Sequence, residues 1–167
     1  MFITPVVDAK GQNTHYSINA QATQEFTINA HSWKSFSFHC KIGDTLSGEF
    51  RIEKNTELFP GDQTEYDNWL LSGIDFFVFD DENYSSWIEG SSTTPLLTRP
   101  GIRELTWSVD IPYNDVWYVV YFNDSIFMKE IEGSIVRSGV YDQLIPLLAF
   151  LGVALILSLA LVFWKKK

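Results

Sequence analysis

The 167-residue chain is acidic and rich in aromatic residues, with a formal net charge of −9, six tryptophans and one cysteine. Nucleic-acid binding is disfavoured, because this composition offers no basic face to neutralise phosphates. Since Cys40 is the only cysteine, an intrachain disulfide, a thiolate metal cage and a CxxC redox pair are all excluded.

In chain order, the first predicted elements are strands that follow a polar lead. Residues 1–23 are predicted to be irregular, apart from a possible short strand that starts at His15. A half-buried strand is predicted over Gln24–Asn29, where apolar and polar residues alternate. The alternation is sharpest over Phe36–Ile42 and Leu46–Glu53, which flank a Gly-Asp turn. This pattern predicts two antiparallel strands joined as a hairpin.

The middle of the chain combines polar segments with one strongly apolar strand. Residues 55–72 are polar and turn-forming, which predicts a long surface loop. Ile74–Phe79 is apolar on both faces and predicts a strand buried on both sides, at the centre of the core. Residues 80–90 predict a turn and an exposed segment, and residues 91–101 predict a second polar loop.

Three more strands are predicted before the C-terminal region, over Leu105–Ile111, Val116–Phe122 and Phe127–Val136. The pattern as a whole gives about seven or eight short strands with turns between them and no convincing amphipathic helix. We therefore predict an all-β fold, an antiparallel β-sandwich over residues 24–136.

After a juxtamembrane linker, residues 137–143, the sequence becomes continuously apolar over Leu144–Trp164. These 21 residues carry no charge. As a helix they would span about 31 Å, which matches a hydrocarbon core of about 30 Å. We predict one C-terminal transmembrane helix in contact with the lipid bilayer. Its anchoring features are Pro146 in the first turn, Trp164 at headgroup depth, and Lys165, Lys166 and Lys167.

The basic residues predict the orientation of this helix. Residues 165–167 form a basic tail, whereas Lys129 and Arg137 before the helix are diluted among acids. The positive-inside rule then puts the tail in the cytoplasm and the sandwich on the extracytoplasmic side, at a cell surface or in a lumen. Without the three terminal lysines the net charge is −12. Met1–Val7 lacks the features of a secretory signal, so either an upstream signal is missing from this sequence or the C-terminal helix itself directs an N-out insertion. A tail-anchored protein with a cytoplasmic domain is the contrary interpretation.

Residue patterns typical of catalysis are not found. The three histidines match no metal-binding or triad spacing, and no glycine-rich phosphate loop precedes a helix. We therefore predict a protein that is not an enzyme and has no cofactor. The densest carboxylate group, Asp80, Asp81 and Glu82, follows a strand, where calcium could bind through oxygen ligands. A solvated turn is the simpler interpretation.

Aromatic residues, at 16% of the chain, give the strongest indication of a binding site. Two tyrosines and two tryptophans in or beside predicted loops are ligand-binding candidates: Tyr66, Trp69, Tyr84 and Trp87. Exposed rings could stack on a glycan or anchor a partner protein, whereas packing over the sandwich ends is the alternative. In an extracytoplasmic domain, Asn83-Tyr84-Ser85 and Asn123-Asp124-Ser125 would be acceptors for N-linked glycans.

Three stretches resemble a GOLD-type (Golgi dynamics) domain: KSFSFHCKIGDTLSGEFRI, IDFFVFDDENYSSW and WSVDIPYNDVWYVVYFND. Such domains have a strand pair about a Gly-Asp turn, an IDF-F-D strand and a final P-x-x-x-W-Y-x-x-x-x-N strand. A C-terminal transmembrane helix with a short basic tail is the layout of GOLD-containing cargo receptors of the early secretory pathway. The resemblance implies a lumenal or extracellular β-sandwich on a stalk that binds proteins or ligands, and protein transport is the role of the receptors it resembles. The chain departs from those receptors in lacking their disulfide, coiled coil and dilysine tail.

Two functions follow from this organisation. The first is a single-pass, membrane-anchored binding or adaptor module that recognises a protein, glycan or lipid partner. The second is a structural or accessory subunit of a membrane or cell-surface assembly, with no ligand of its own. An exposed patch containing Trp69 and Trp87 favours the first, and burial of that patch, together with an adhesive sheet edge or helix face, favours the second.

Overall fold

The computed structural model describes residues 4–7, 14–17, 22–53 and 61–139. Within these ranges the chain forms ten strands and two helices. The strands are β1 (Thr4–Val7), β2 (Thr14–Ser17), β3 (Ala22–Ile28), β4 (Ser32–Cys40), β5 (Thr45–Ile52), β6 (Ile74–Asp80), β7 (Leu97–Ile102), β8 (Glu104–Asp110), β9 (Asp115–Asn123) and β10 (Lys129–Ser138). The helices are α1 (Gln63–Ser72) and α2 (Asp81–Ile88).

The strands form two packed sheets. One has six strands in the order β1-β2-β4-β9-β6-β7, and the other has four in the order β3-β10-β5-β8. The predicted antiparallel β-sandwich is confirmed, and β3 to β10 supply it. The lead that was predicted to be mostly irregular adds β1 and β2 to the six-stranded sheet, where β2 runs parallel to β4.

Contacts divide the chain into two units, Met1–Arg137 and Ser138–Lys167. In the part of the chain that the structure describes, neither helix has the length and apolar character needed to cross a membrane. The predicted span Leu144–Trp164, with Pro146 and the terminal lysines, lies outside the described residues and stays a prediction.

The core lies between the two sheets and centres on Tyr121 of β9, which is 1% exposed. Its ring makes edge-to-face contacts with two phenylalanines from each sheet, at centroid distances of 5.1 to 5.9 Å. Phe36 and Phe76 belong to the six-stranded sheet, and Phe26 and Phe50 to the four-stranded one. Each such pair adds about 0.5–1.5 kcal/mol beyond area burial, so these contacts hold the sheets together.

The predicted hairpin between β4 and β5 is wrong, because the two strands belong to different sheets. β4 pairs with β9 in the six-stranded sheet, whereas β5 pairs with β8 in the four-stranded sheet, so the turn carries the chain from one sheet to the other. Gly43 has φ of 85°, a conformation that favours glycine, and its N–H donates to the carbonyl of Ile111 at 3.0 Å. The sequence pattern could not distinguish the two arrangements. A hairpin and a connection between sheets both show two alternating strands with a tight turn between them.

Two segments predicted as loops are the helices α1 and α2, each capped by an aspartate. Asp62 accepts a hydrogen bond from the N–H of Glu65 at 2.9 Å, and Asp80 accepts one from the N–H of Asn83 at 2.7 Å. The predicted second loop contains β7, an edge strand, which is where a strand tolerates Pro100. The two helices were missed because short helices of polar composition are stabilised by caps and tertiary packing rather than by a strong apolar period.

β10 begins with a buried lysine that connects it to α1. Lys129 is 0% exposed, and its Nζ donates to the Ser72 hydroxyl at 2.8 Å and to the Gly73 carbonyl, at the C-terminal end of α1. The Trp69 ring centroid lies 6.0 Å from Nζ. Burial lowers the pKa of Lys129 to about 8, with nearby Asp75 opposing the shift.

The substitution Lys129→Met tests this connection through pH. The ordinary pKa of lysine is 10.5, so the unfolded chain binds more protons than the folded chain between about pH 8 and that value. The unfolding free energy contributed by Lys129 therefore rises with pH in that window. From about pH 7 to about pH 10 we expect wild type to gain about 2 kcal/mol relative to the variant, measured by urea unfolding. If the unfolding free energies of the two proteins depended equally on pH, the pKa of Lys129 would not be lowered in the folded protein.

Candidate functional site

The outer face of the six-stranded sheet, turned away from the core, carries a cluster of aromatic side chains. Residues of β4, β6 and β9 alternate between the two faces of the sheet. The helix α2 packs against the outer side. We call this surface the aromatic face; its sheet residues are Trp33, Phe77, Phe79, Tyr118 and Phe122.

Trp87 of α2 lies at the centre of the aromatic face and is only half-buried. Five other rings surround it, with centroid distances from 5.1 to 6.3 Å. They belong to Trp33, Phe77, Phe79, Tyr84 and Phe122. Packing on all of these neighbours restricts the indole, so it can offer apolar area to a partner with little loss of side-chain entropy.

Tyr84 attaches α2 to the sheet through both its ring and its hydroxyl. The ring stacks on Tyr118 with centroids 4.0 Å apart and planes inclined by 11°. The hydroxyl lies 2.8 Å from the Ser35 hydroxyl oxygen and accepts from the Trp33 indole nitrogen at 3.4 Å. Tyr118 in turn donates to the carboxylate of Asp81 at 2.9 Å. Burial, followed by the bond to Asp81, raises the pKa of Tyr118 above its ordinary value.

The start of α2 is fixed by Asp80. Its carboxylate accepts from the backbone N–H and the side-chain amide of Asn83, and also from the Tyr113 hydroxyl. Burial alone raises the pKa of Asp80, but these hydrogen bonds outweigh it, and the pKa lies below its ordinary value. The bond to Asp80 is also the main reason that the pKa of Tyr113 is raised to about 12.

These partners bear on the calcium candidate, Asp80, Asp81 and Glu82. The carboxylate of Asp80 caps α2 and binds Tyr113, and that of Asp81 binds Tyr118. No group of three or more histidine, cysteine, aspartate or glutamate side chains that could hold a metal comes together in residues 4–7, 14–17, 22–53 and 61–139. Asp80 and Asp81 therefore help to hold α2 on the sheet, and the calcium candidate stays a prediction.

The predicted ligand-binding aromatics fall into two separate clusters. Tyr66 and Trp69 lie on α1, are 6% and 5% exposed, and belong to the main core. For this pair the structure has the alternative, packing against the sandwich, because α1 turns both rings inward. Tyr84, which is 9% exposed, and Trp87 belong to the aromatic face. The predicted patch containing both Trp69 and Trp87 is therefore replaced by a surface centred on Trp87 alone.

Sequence reasoning missed all the sheet residues of this surface, which are Trp33, Phe77, Phe79, Tyr118 and Phe122. A sequence signal existed for Trp33 and Phe122, because each falls on the outward phase of its strand; the structure then pairs them directly across β4 and β9. Phe77 belongs to β6, whose predicted burial on both faces fits its neighbours: Phe76 faces the core and Phe77 packs with the α2 cluster.

Both predicted glycosylation acceptors use their amide nitrogen inside the fold. Asn123 is 0% exposed, and its Nδ2 donates to the carbonyls of Ile28, Asn29 and Phe127 at 2.7 to 3.3 Å. The Nδ2 of Asn83 donates to both carboxylate oxygens of Asp80. A glycan on Asn123 would have to displace all three of its bonds, so the interpretation of this sequon as a glycan site is incompatible with the fold.

The outer face of the four-stranded sheet has a different character. An open groove of about 530 Å³ runs over β5, β8 and β10 and is lined by Glu49, Arg51, Glu104 and Glu132 among others. Arg51 pairs with Glu132 at 2.5 Å and with Glu53 at 2.7 Å, and the guanidinium is exposed. Exposed ion pairs of this kind contribute little to stability.

No protein-family model and no curated protein sequence matches the chain. Among solved structures, the fold is similar to PliG of Aeromonas hydrophila, a periplasmic lysozyme inhibitor of g-type lysozyme, with a TM-score of 0.50 and 11% identity over 76% of this chain and 98% of that one. The pre-peptidase C-terminal domain of a Bacillus anthracis collagenase aligns with a TM-score of 0.43 and 9% identity, over 72% of this chain and 93% of that one. At such identities the likeness shows the fold alone.

The substitution Tyr84→Phe tests the attachment of α2. It removes the buried bond to Ser35 and keeps the stack on Tyr118, so we expect the unfolding free energy to fall by about 1 kcal/mol. Tyr118→Phe is the matched control, because its hydroxyl bonds the exposed Asp81 and its loss should cost less. Urea unfolding measures both. A larger loss for Tyr118→Phe would contradict the role given to the Tyr84 hydroxyl.

The burial of the Asn123 amide predicts that this sequon carries no glycan. When the full chain is expressed in a eukaryotic secretory pathway, natively folded protein should carry no glycan at Asn123, as peptide mass spectrometry can establish. Asn123→Gln should lower the unfolding free energy by about 2 kcal/mol, because the longer side chain cannot serve the same carbonyls. Folded protein with a glycan at Asn123 would refute the burial of this side chain.

Proposed function

We propose that the chain is a single-pass, membrane-anchored binding module whose β-sandwich recognises a protein partner on the extracytoplasmic side. The observation that carries this proposal is the aromatic face, with half-buried Trp87 surrounded by five rings. Tryptophan and tyrosine dominate the energetics of protein interfaces, because a large rigid ring gains apolar contact at a low entropic cost.

The membrane part of the proposal rests on the sequence. Leu144–Trp164 has the length and composition of a transmembrane helix, and the basic residues 165–167 orient its tail to the cytoplasm. Resemblance to GOLD-containing cargo receptors supports a more specific form, in which the partner is a protein in transport through the early secretory pathway. The same layout fits a sandwich displayed at a cell surface.

The similar solved fold gives limited support to a protein partner. PliG of Aeromonas hydrophila is described as an inhibitor of g-type lysozyme, so a sandwich of this fold can act by binding a protein. For the present chain the partner is defined by chemistry: a protein surface that can cover apolar rings. A glycan is the competing ligand, because exposed tryptophan also stacks on sugars.

The accessory-subunit function is the second candidate, and the burial of Trp69 supports it, because half of the predicted aromatic patch is in the core. A subunit of this kind would contact its assembly through several surfaces at once. A binding module would use one face. This difference separates the two functions in a crosslinking experiment.

The topology is tested by protease protection of the full chain in sealed membranes. Digestion of the sandwich from the extracytoplasmic side only is the expected result, with residues 144–167 protected. Digestion only from the cytoplasmic side would make the chain a tail-anchored cytoplasmic protein and remove the extracytoplasmic partner from the proposal.

The binding face is tested by a photo-crosslinking residue at position 88, since Ile88 is 38% exposed and adjoins Trp87. The matched control places the same residue at exposed Thr106, on the outer face of the other sheet. We expect a discrete protein adduct from position 88 that is absent at position 106 and is lost in Trp87→Leu, whose unfolding temperature shows that the fold persists. The same adducts from both positions would favour the accessory subunit, and adducts with glycan alone would refute a protein partner.

A further inference from the structure

The chain leaves the sandwich at a defined end. β10 is the last strand, and near its end the Arg137 guanidinium donates to the carbonyl of His39 at 2.6 Å, at the C-terminal end of β4. Strand β9 begins at this end with Asp115, which is paired with Cys40, and finishes at the opposite end with Asn123, paired with Ser32. The nine residues of β9 separate the two ends by about 27 Å.

Two turns lie together at the end where the chain leaves. The turn after β4 and the connection between β8 and β9 are joined by hydrogen bonds from Gly43 N–H to the Ile111 carbonyl and from Ile42 N–H to the Asn114 side chain, at 3.0 and 2.7 Å. Each turn carries one large, partly exposed side chain, and the hydroxyl of Tyr113 stays bonded to the Asp80 carboxylate. Ile42 is 65% exposed and Tyr113 is 46% exposed.

Chain length limits how far these turns can be from a membrane. Only residues 139–143 separate the end of β10 from Leu144, and five extended residues reach no more than about 18 Å. The headgroup layer on each side of the hydrocarbon is itself about 5–8 Å thick. Once Leu144–Trp164 spans a bilayer, chain length alone limits how far the C-terminal end of β10 can lie from the lipid headgroups.

We propose that these two turns, through Ile42 and Tyr113, insert into the headgroup layer of a zwitterionic bilayer and orient the sandwich on its anchor. The inference rests on the membrane anchoring in the proposed function. Isoleucine gains by leaving water, and a tyrosine ring with a polar hydroxyl suits the interface. Lys41 and Arg137 are the nearby cations, whereas six acids lie in the turns or on the elements around them: Asp44, Asp80, Asp81, Glu82, Asp110 and Asp115. This balance disfavours anionic lipids, so phosphatidylcholine is the bilayer chosen.

The experiment uses two single-site fluorophores on the full chain. Ile42→Cys and Ile126→Cys are labelled with a maleimide dye and reconstituted into phosphatidylcholine vesicles that contain a headgroup-nitroxide lipid. Ile126 is the matched control, because it is 67% exposed and lies in the loop after β9, at the opposite end. Cys40 can stay, since it is buried and burial raises its pKa to about 12, which suppresses thiolate reactivity. The parent protein, in which Cys40 is the only cysteine, is treated with the same dye to check that Cys40 is not labelled.

Several-fold stronger quenching at position 42 than at position 126 is the expected result. Equal weak quenching at both positions, in protein that floats with the vesicles, would overturn the turn insertion and leave the membrane anchor standing. Protein that does not float with the vesicles would refute the anchoring and the insertion together. Stronger quenching at position 126 would also overturn the proposal, because it would put the opposite end of the sandwich at the membrane.

Discussion

Strand β9 is the part of the fold on which the other elements depend, because it is covered on both of its faces. One face places Tyr121 among phenylalanines of both sheets. The other face carries Tyr118 and the fully buried Val120, which a single sheet cannot shield from water. The helix α2 supplies that shield by stacking Tyr84 on Tyr118. The aromatic face is therefore a consequence of the core: covering β9 requires an aromatic layer, and the outer part of that layer remains partly exposed.

Much of the sandwich could be predicted from its sequence, because apolar and polar residues alternate with a period of two along a strand that is buried on one face. The alternation over β4, β5 and β8, and the double-sided burial of β6, all correspond to observed strands. Partner choice could not be predicted in the same way. The Gly43 turn looks like a hairpin turn, but β4 finds β9 and β5 finds β8, and these pairings depend on packing between residues that are far apart in the chain.

The candidate site was predicted only in part, for a reason that concerns both helices. Tyr66 and Trp69, like Tyr84 and Trp87, are three residues apart, a spacing that puts each pair on one face of a helix. Interpreted as loops, these segments seemed to expose their rings. The sequence did contain a helix signal, since Asp62 is followed three residues later by Glu65, a typical N-terminal capping pattern. With helices in place, α1 directs its pair into the core and α2 directs its pair onto the outer face.

The two outer faces of the sandwich differ in what it would cost to cover them. On the four-stranded sheet a partner would have to desolvate carboxylates such as Glu49 and Glu104, each of which then needs a compensating cation. On the six-stranded sheet a partner would displace water from rings around Trp87, where the indole is already restricted by its neighbours. The carboxylate-rich face therefore favours solvation, whereas the aromatic face is the one that can be buried at low cost. This asymmetry is the physical reason for placing partner recognition at Trp87.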